Sequence, residues 1–149
     1  MAMIQLPPDF KDFLRLMNLH NVKYLLIGGY AVGYHGYPRA TADMDIWIAI
    51  HPDNAKKMVN VIKKFGFSIP ELSEALFLEK RKIVRMGVPP IRIEILTEIS
   101  GVEFDECYQN RIIAMIDDIE VNIIDLVNLK KNKQACGRPK DLNDLEYLS

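Results

Sequence analysis

The sequence predicts an α/β (α+β) protein: a mixed β-sheet with helices packed mainly on one face, in a single domain over residues 1–149. Two patterns and one quantity predict it. Strand-type runs alternate with helix-type periodicity through the first half, the order expected of an α/β layer arrangement. The second half adds two pairs of short strands split by turn residues. The 149 residues are 49% hydrophobic and 26% charged, an ordinary balance for a chain that buries roughly two-thirds of its unfolded surface.

Each element follows from local spacing. Pro7, Pro8 and Asp9 open a stretch in which Phe10, Phe13, Leu14 and Met17 recur at helical intervals. "VKYLLI", residues 22–27, is a short buried strand running into Gly28 and Gly29, and residues 30–36 form a short helix stopped by Gly36. "MDIWIAI", residues 44–50, is the second strand. "HPDNAKKMVNVIKKFGF" follows as a long helix, with Pro52 in its first turn and Gly66 at its end. "KIVRMGV" and "IRIEIL" are strands around a Pro-Pro turn, and "RIIAMI" and "IEVNII" form a hairpin split by Asp117 and Asp118. The helix "DLVNLKKNKQAC", the loop "GRPKD" and the helix "LNDLEYL" complete the chain.

Composition removes several function classes. With 19 basic and 20 acidic residues, the molecule has no overall field to gather nucleic acid, so any polyanion must be met locally. Apolar runs are short and the N-terminus lacks a secretory pattern, which places the protein in the cytoplasm and away from membranes. Cys107 and Cys136 lie far apart with no CxxC and no histidine cluster, and indicate neither a zinc site nor a disulfide framework. The one dense basic stretch is "KKNKQACGRPK", residues 130–140.

Asp43 and Asp45 stand among Met44, Ile46, Trp47 and Ile48, where charge is costly. Alternation along a strand puts both carboxylates on one face, roughly 7 Å apart. Their repulsion is removed by a shared cation, and a hard ion such as magnesium takes oxygen ligands while leaving positions for substrate phosphates. The spacing alone equally suits a sheet edge with both aspartates in water. Glu94, in the middle of "IRIEIL" with Arg92 as its neighbour, adds a third acid. If its strand lies beside that of Asp45, three carboxylates converge, enough for two metal ions. Gly28-Gly29, between strand and helix, lets backbone N–H groups approach an anion. Neither a P-loop nor GxGxxG is present.

Gly28-Gly29, a short helix, Asp43-x-Asp45 and a separate strand acid together resemble the nucleotidyltransferase superfamily of DNA polymerase β. Its signature is a Gly-Gly or Gly-Ser pair, a spacer and Asp-x-Asp. Within it, the chain from about Val22 to Leu148 looks most like small stand-alone members related to AbiE-type toxins. The resemblance implies a nucleotidyltransferase-like sheet and transfer of a nucleoside monophosphate from an NTP to an acceptor hydroxyl of RNA, such as tRNA, or protein, with loss of pyrophosphate. It implies two magnesium ions, with manganese as a substitute, held by Asp43, Asp45 and Glu94, and a part for Glu94 in deprotonating the hydroxyl. Two positions depart from the pattern: the third acid is commonly aspartate, and Tyr30 stands where many relatives have serine or threonine.

Supporting residues are Arg39, a candidate bidentate fork for the triphosphate, and Thr41 beside it. Lys133 continues the inward face of Leu126 and Leu129, with a phosphate or Asp141 as partner. Arg138, Asp141 and Asp144 read as a capping cluster, His35 as a packed residue, and Tyr30, Tyr34 and Tyr37 as aromatic packing. The alternative function is a non-catalytic NTP- and metal-binding component of a toxin–antitoxin pair, its partner chain an antitoxin.

Overall fold

A computed structural model describes residues 4–37, 41, 43–67, 69–88 and 91–148. Six strands, β1 (Tyr24–Ile27), β2 (Asp43–Ile48), β3 (Ile83–Val88), β4 (Ile91–Leu96), β5 (Ile112–Ile116) and β6 (Ile119–Ile123), form one sheet in the order β3-β4-β2-β1-β6-β5. The sheet is mixed: β2 runs parallel to β4 and β1 parallel to β6, while the other three neighbouring pairs are antiparallel. The helices are α1 (Pro8–Leu19), α2 (Gly28–Tyr34), α3 (Pro52–Phe65), α4 (Phe104–Gln109), α5 (Leu126–Cys136) and α6 (Pro139–Tyr147). Among the described residues no helix is long and apolar enough to cross a membrane.

The mixed sheet is as expected, and so are the hairpins. Asp117 and Asp118 both have positive φ, 49° and 67°, the signature of a two-residue turn whose twist matches its strands. Boundaries moved by a few residues. Gly28 and Gly29 are the first residues of α2 rather than a loop ahead of it, and α6 begins at Pro139, whose fixed φ suits a first helical position. Two short elements had no periodicity to announce them: α4 and a 3₁₀ turn over Glu74–Phe77.

One face of the sheet is apolar throughout. Met44, Ile46 and Ile48 of β2, Ile93 and Ile95 of β4, and Val84 and Met86 of β3 are buried there. Tyr24 and Leu26 pair with Ile48 and Ile46 and so share that face. The Tyr24 hydroxyl donates to Asn18 of α1 at 2.9 Å, which sets α1 against it, and Phe13 meets Phe65 of α3 edge to face at 5.2 Å. Buried Asn54 fixes the start of α3: it accepts from the Lys23 backbone N–H and donates to the Lys23 and Ala49 carbonyls. His51 caps the same helix, its Nδ1 accepting from the Asp53 N–H. On the opposite face, Phe104 of α4 covers Trp47, Leu25 and Ile27 of β1 are buried beside β2, and Asp43, Asp45 and Glu94 stand there too.

Candidate active site

Strand register decides which polar residues meet. In the β2–β4 ladder Asp43 lies opposite Arg92 and Asp45 opposite Glu94. Partners in a parallel ladder share a face, on strands roughly 4.8 Å apart. Asp43, Asp45 and Glu94 therefore stand on one face of two adjacent strands, as the sequence requires of a three-acid site. The mixed apolar and acidic pattern of "DMDIWI" is thus resolved: its even positions enter the core and its aspartates line the other surface.

The glycines are explained by what approaches them. Gly28 has φ +67°, and a Cβ there would fall on the Asp45 carboxylate, 3.0 Å from its Cγ. At Gly29 a Cβ would lie 2.7 Å from the Thr41 hydroxyl oxygen and 2.8 Å from its Cβ. The pair is the surface against which Asp45 and Thr41 seat, and the Thr41 hydroxyl donates to the Asp43 carbonyl at 3.2 Å. Arg39 lies outside the described residues.

Arginines hold the acids on the outer side. Arg92 forks onto Asp43, with Nε to Oδ1 at 3.2 Å and Nη2 to Oδ2 at 2.8 Å. The same Nη2 is 3.2 Å from Glu94 Oε1, and Arg85 Nε reaches that oxygen at 3.1 Å. Asp43 holds the Arg92 guanidinium above its ordinary pKa, chiefly by hydrogen bonding. Among the described residues Asp45 makes no ion pair, and its pKa is pushed up to about 6 by burial first, then by Glu94 and Asp43. In the sequence Arg92 stands only as a neighbour of Glu94 on the same strand. The spacing that places Asp43 with Asp45 also places Arg92 with Glu94, and that was the available signal for this network.

Lys133 is buried, and its ammonium lies 3.2 Å from both Asp141 and Asp144, themselves almost fully buried. The expected contact with Asp141 is present. Burial works to raise Asp141, but hydrogen bonds from Arg138 and Lys133 outweigh it and hold the carboxyl low. Asp141 also accepts from the Arg138 backbone N–H, so the expected capping cluster forms. Tyr37 stacks on Tyr147 at 4.3 Å and its hydroxyl accepts from Asn143, which binds α6 to the segment after α2. Lys140 and Lys133 are near enough to temper the rise in Asp45's pKa; Lys140 was not singled out from the sequence. The His35 Nε2–H donates to the Ile124 carbonyl at 2.7 Å, in keeping with a packed role. Tyr30 meets Phe10, and Tyr34 meets His35, edge to face.

No group of three His, Cys, Asp or Glu side chains among the described residues is gathered closely enough to hold a metal ion as it stands. The donor chemistry nevertheless suits a hard divalent cation. All three groups are carboxylates on one face, the like charges around Asp45 are only partly relieved, and a cation already stands between Asp43 and Glu94 in the form of the Arg92 guanidinium. A cavity of about 1340 Å³ opens elsewhere, at the far ends of β2 and β4, lined by Trp47, Ala49, Thr97 and Lys23 among others. Asp43, Asp45 and Glu94 do not line it.

No protein-family model and no curated protein sequence matches the chain. Solved structures do. A candidate nucleotidyltransferase from Thermotoga maritima superposes with a TM-score of 0.62 at 13% identity, covering 95% of this chain and 93% of that one. An antigenic nucleotidyltransferase-like protein from Paracoccidioides brasiliensis superposes with a TM-score of 0.56 at 16% identity, covering 93% of this chain and 73% of that one. The fold is nucleotidyltransferase-like.

Proposed function

We propose that the protein is a metal-dependent nucleotidyltransferase that moves a nucleoside monophosphate from an NTP to an acceptor hydroxyl of RNA, such as tRNA, or of a protein. The observation that carries this reading is the register of Asp45 on Glu94, with Asp43 on the same face and Gly28-Gly29 against Asp45. In this reading Asp43 and Asp45 bind both magnesium ions, for which manganese substitutes, and Glu94 completes the set. The ions supply charge neutralisation for the triphosphate and a more acidic acceptor hydroxyl. Glu94 takes the hydroxyl proton. The acceptor oxygen then forms its bond to the α-phosphorus as the bond from that phosphorus to the bridging oxygen breaks, and pyrophosphate leaves. Gly28 and Gly29 begin α2, so their backbone N–H groups have no partner within that helix and are offered to the phosphates. Arg39, Thr41 and Lys133 complete the proposed nucleotide-binding set, Lys133 from behind Asp141 and Asp144.

Incubation with each labelled NTP, magnesium and total cellular RNA or lysate is expected to transfer label to a macromolecule. Absence of transfer with all four NTPs rejects the enzymatic reading. One observation favours a second reading, a non-catalytic NTP- and metal-binding partner in a toxin–antitoxin pair: Asp43 and Glu94 are already engaged by Arg92. Tight NTP binding without turnover, with co-purification of a second chain, identifies that case.

A further inference from the structure

The carboxylate face carries its own counter-charge in a specific place. Arg92 does not simply lie near the acids: its guanidinium makes two bonds to Asp43 and a third contact to Glu94. It thus spans the same oxygens that the proposed function assigns to metal. Its position is set by the backbone, because Arg92 is the ladder partner of Asp43 and sits two residues before Glu94. Arg85, from the neighbouring strand, holds Glu94 from the other side. A planar guanidinium presents donors in a fork that matches a carboxylate, and it holds the oxygens at 2.8–3.2 Å rather than in the close octahedral shell that magnesium gathers. The two cations therefore require different arrangements of the same oxygens. The three side chains Arg92, Asp43 and Glu94 keep 30%, 28% and 15% exposure, so water reaches the pair and the contact can open.

We propose that Arg92 is a placeholder for the cation: its guanidinium neutralises Asp43 and Glu94 in the metal-free protein and must swing off them before a divalent ion is admitted. This rests on the metal-dependent reading above. Arg92 is thereby a positioning residue. It keeps the acids apart and aligned while empty of metal, and its release couples ion entry to rearrangement of the β2–β4 surface.

The two possible roles of Arg92 differ in sign. If it only supports the acids, shortening it loosens metal binding. If it competes for them, shortening it tightens metal binding. The test is Mn²⁺ affinity, measured by electron paramagnetic resonance and by calorimetry without nucleotide, on wild type, Arg92→Met, which retains an unbranched apolar stem, and Arg92→Lys. Arg92→Met is expected to bind Mn²⁺ roughly three- to tenfold more tightly than wild type, the loss of a partly exposed forked pair. Arg92→Lys, which keeps the charge without the fork, is expected to fall between them. Circular dichroism checks that each variant is folded, and Arg85→Met serves as a second variant that removes one of the two arginine contacts to Glu94, leaves Asp43 with Arg92, and is expected to give a smaller gain. Unchanged or weaker Mn²⁺ binding in folded Arg92→Met, with clear binding to wild type, overturns the placeholder and leaves the metal-dependent reading standing. Binding by neither protein overturns both. Binding by Arg92→Met alone supports the placeholder in its strongest form.

Discussion

Asp45→Asn separates the cost of the carboxylate from its use. Asp45 is raised to about 6 by burial and by two neighbouring carboxylates, against an ordinary value of ~3.9. For an acid raised in this way the folded state favours the protonated form. The associated stability is fully present below the unfolded value and is lost as pH rises through 6. Two units correspond to ~3 kcal/mol lost by pH 7.5 and about half of that by pH 5. Asparagine has nearly the same shape and no charge, so the substitution removes this penalty. In metal-free buffer with chelator, Asp45→Asn is expected to be more stable than wild type at pH 7.5 by up to ~3 kcal/mol, raising Tm by as much as roughly 6–12 °C. The gain should halve at pH 5. Nucleotide transfer should vanish in the same variant. Denaturant melts at the two pH values, scored by circular dichroism, provide the measurement. A gain of equal size at both values, or a loss at pH 7.5, refutes the account of Asp45 as a half-buried, mutually repelled carboxylate.

Other consequences are independent of that one. Gly28→Ala combines a left-handed backbone with a methyl group placed on Asp45, and should cost at least about 2 kcal/mol in a denaturant titration; a neutral result contradicts the packing of Asp45 on the glycine turn. Lys133→Met removes the cation that Asp141 and Asp144 share, while Asp141 keeps Arg138, and should destabilise by about 1–3 kcal/mol, with partial recovery when Asp144→Asn is added. Cys107 is fully buried, with its thiol pushed up to about 12 by burial first and by Asp125 next, whereas Cys136 is partly exposed. An aromatic disulfide reagent should therefore label one thiol in the native protein and two after unfolding.

The acids were legible in the sequence because strand alternation is strict: a two-residue step fixes the face, and Asp43, Asp45 and Glu94 needed only adjacent strands to converge. Gly28 and Gly29 were legible as a close-approach turn. What approaches them was not, because the contact with Asp45 comes through tertiary placement. The α1, α3 and α5 helices announced themselves by apolar periodicity or capping residues, while α4 spans only six residues, too few to establish a period. The arginine network was hidden for a different reason. Arg92 and Glu94 share a face by the same two-residue rule, but the fork on Asp43 depends on which strand lies alongside, and no spacing within one strand specifies a neighbour. The spacing of Lys133 from Leu126 and Leu129 marks it as inward-facing, and it is buried; its second carboxylate, Asp144, follows from the packing of α5 on α6.

The parallel β2–β4 ladder also fixes when the constellation can exist during folding. Its two strands are joined through α3 and the whole β3 excursion, so Asp45 and Glu94 meet only after a long loop has closed, an entropic hurdle that local helices do not face. Hairpins β3–β4 and β5–β6 can assemble early from neighbouring residues. Under the proposed function, cation affinity in a refolding chain should consequently emerge after most backbone structure, as a late reporter of native sheet order.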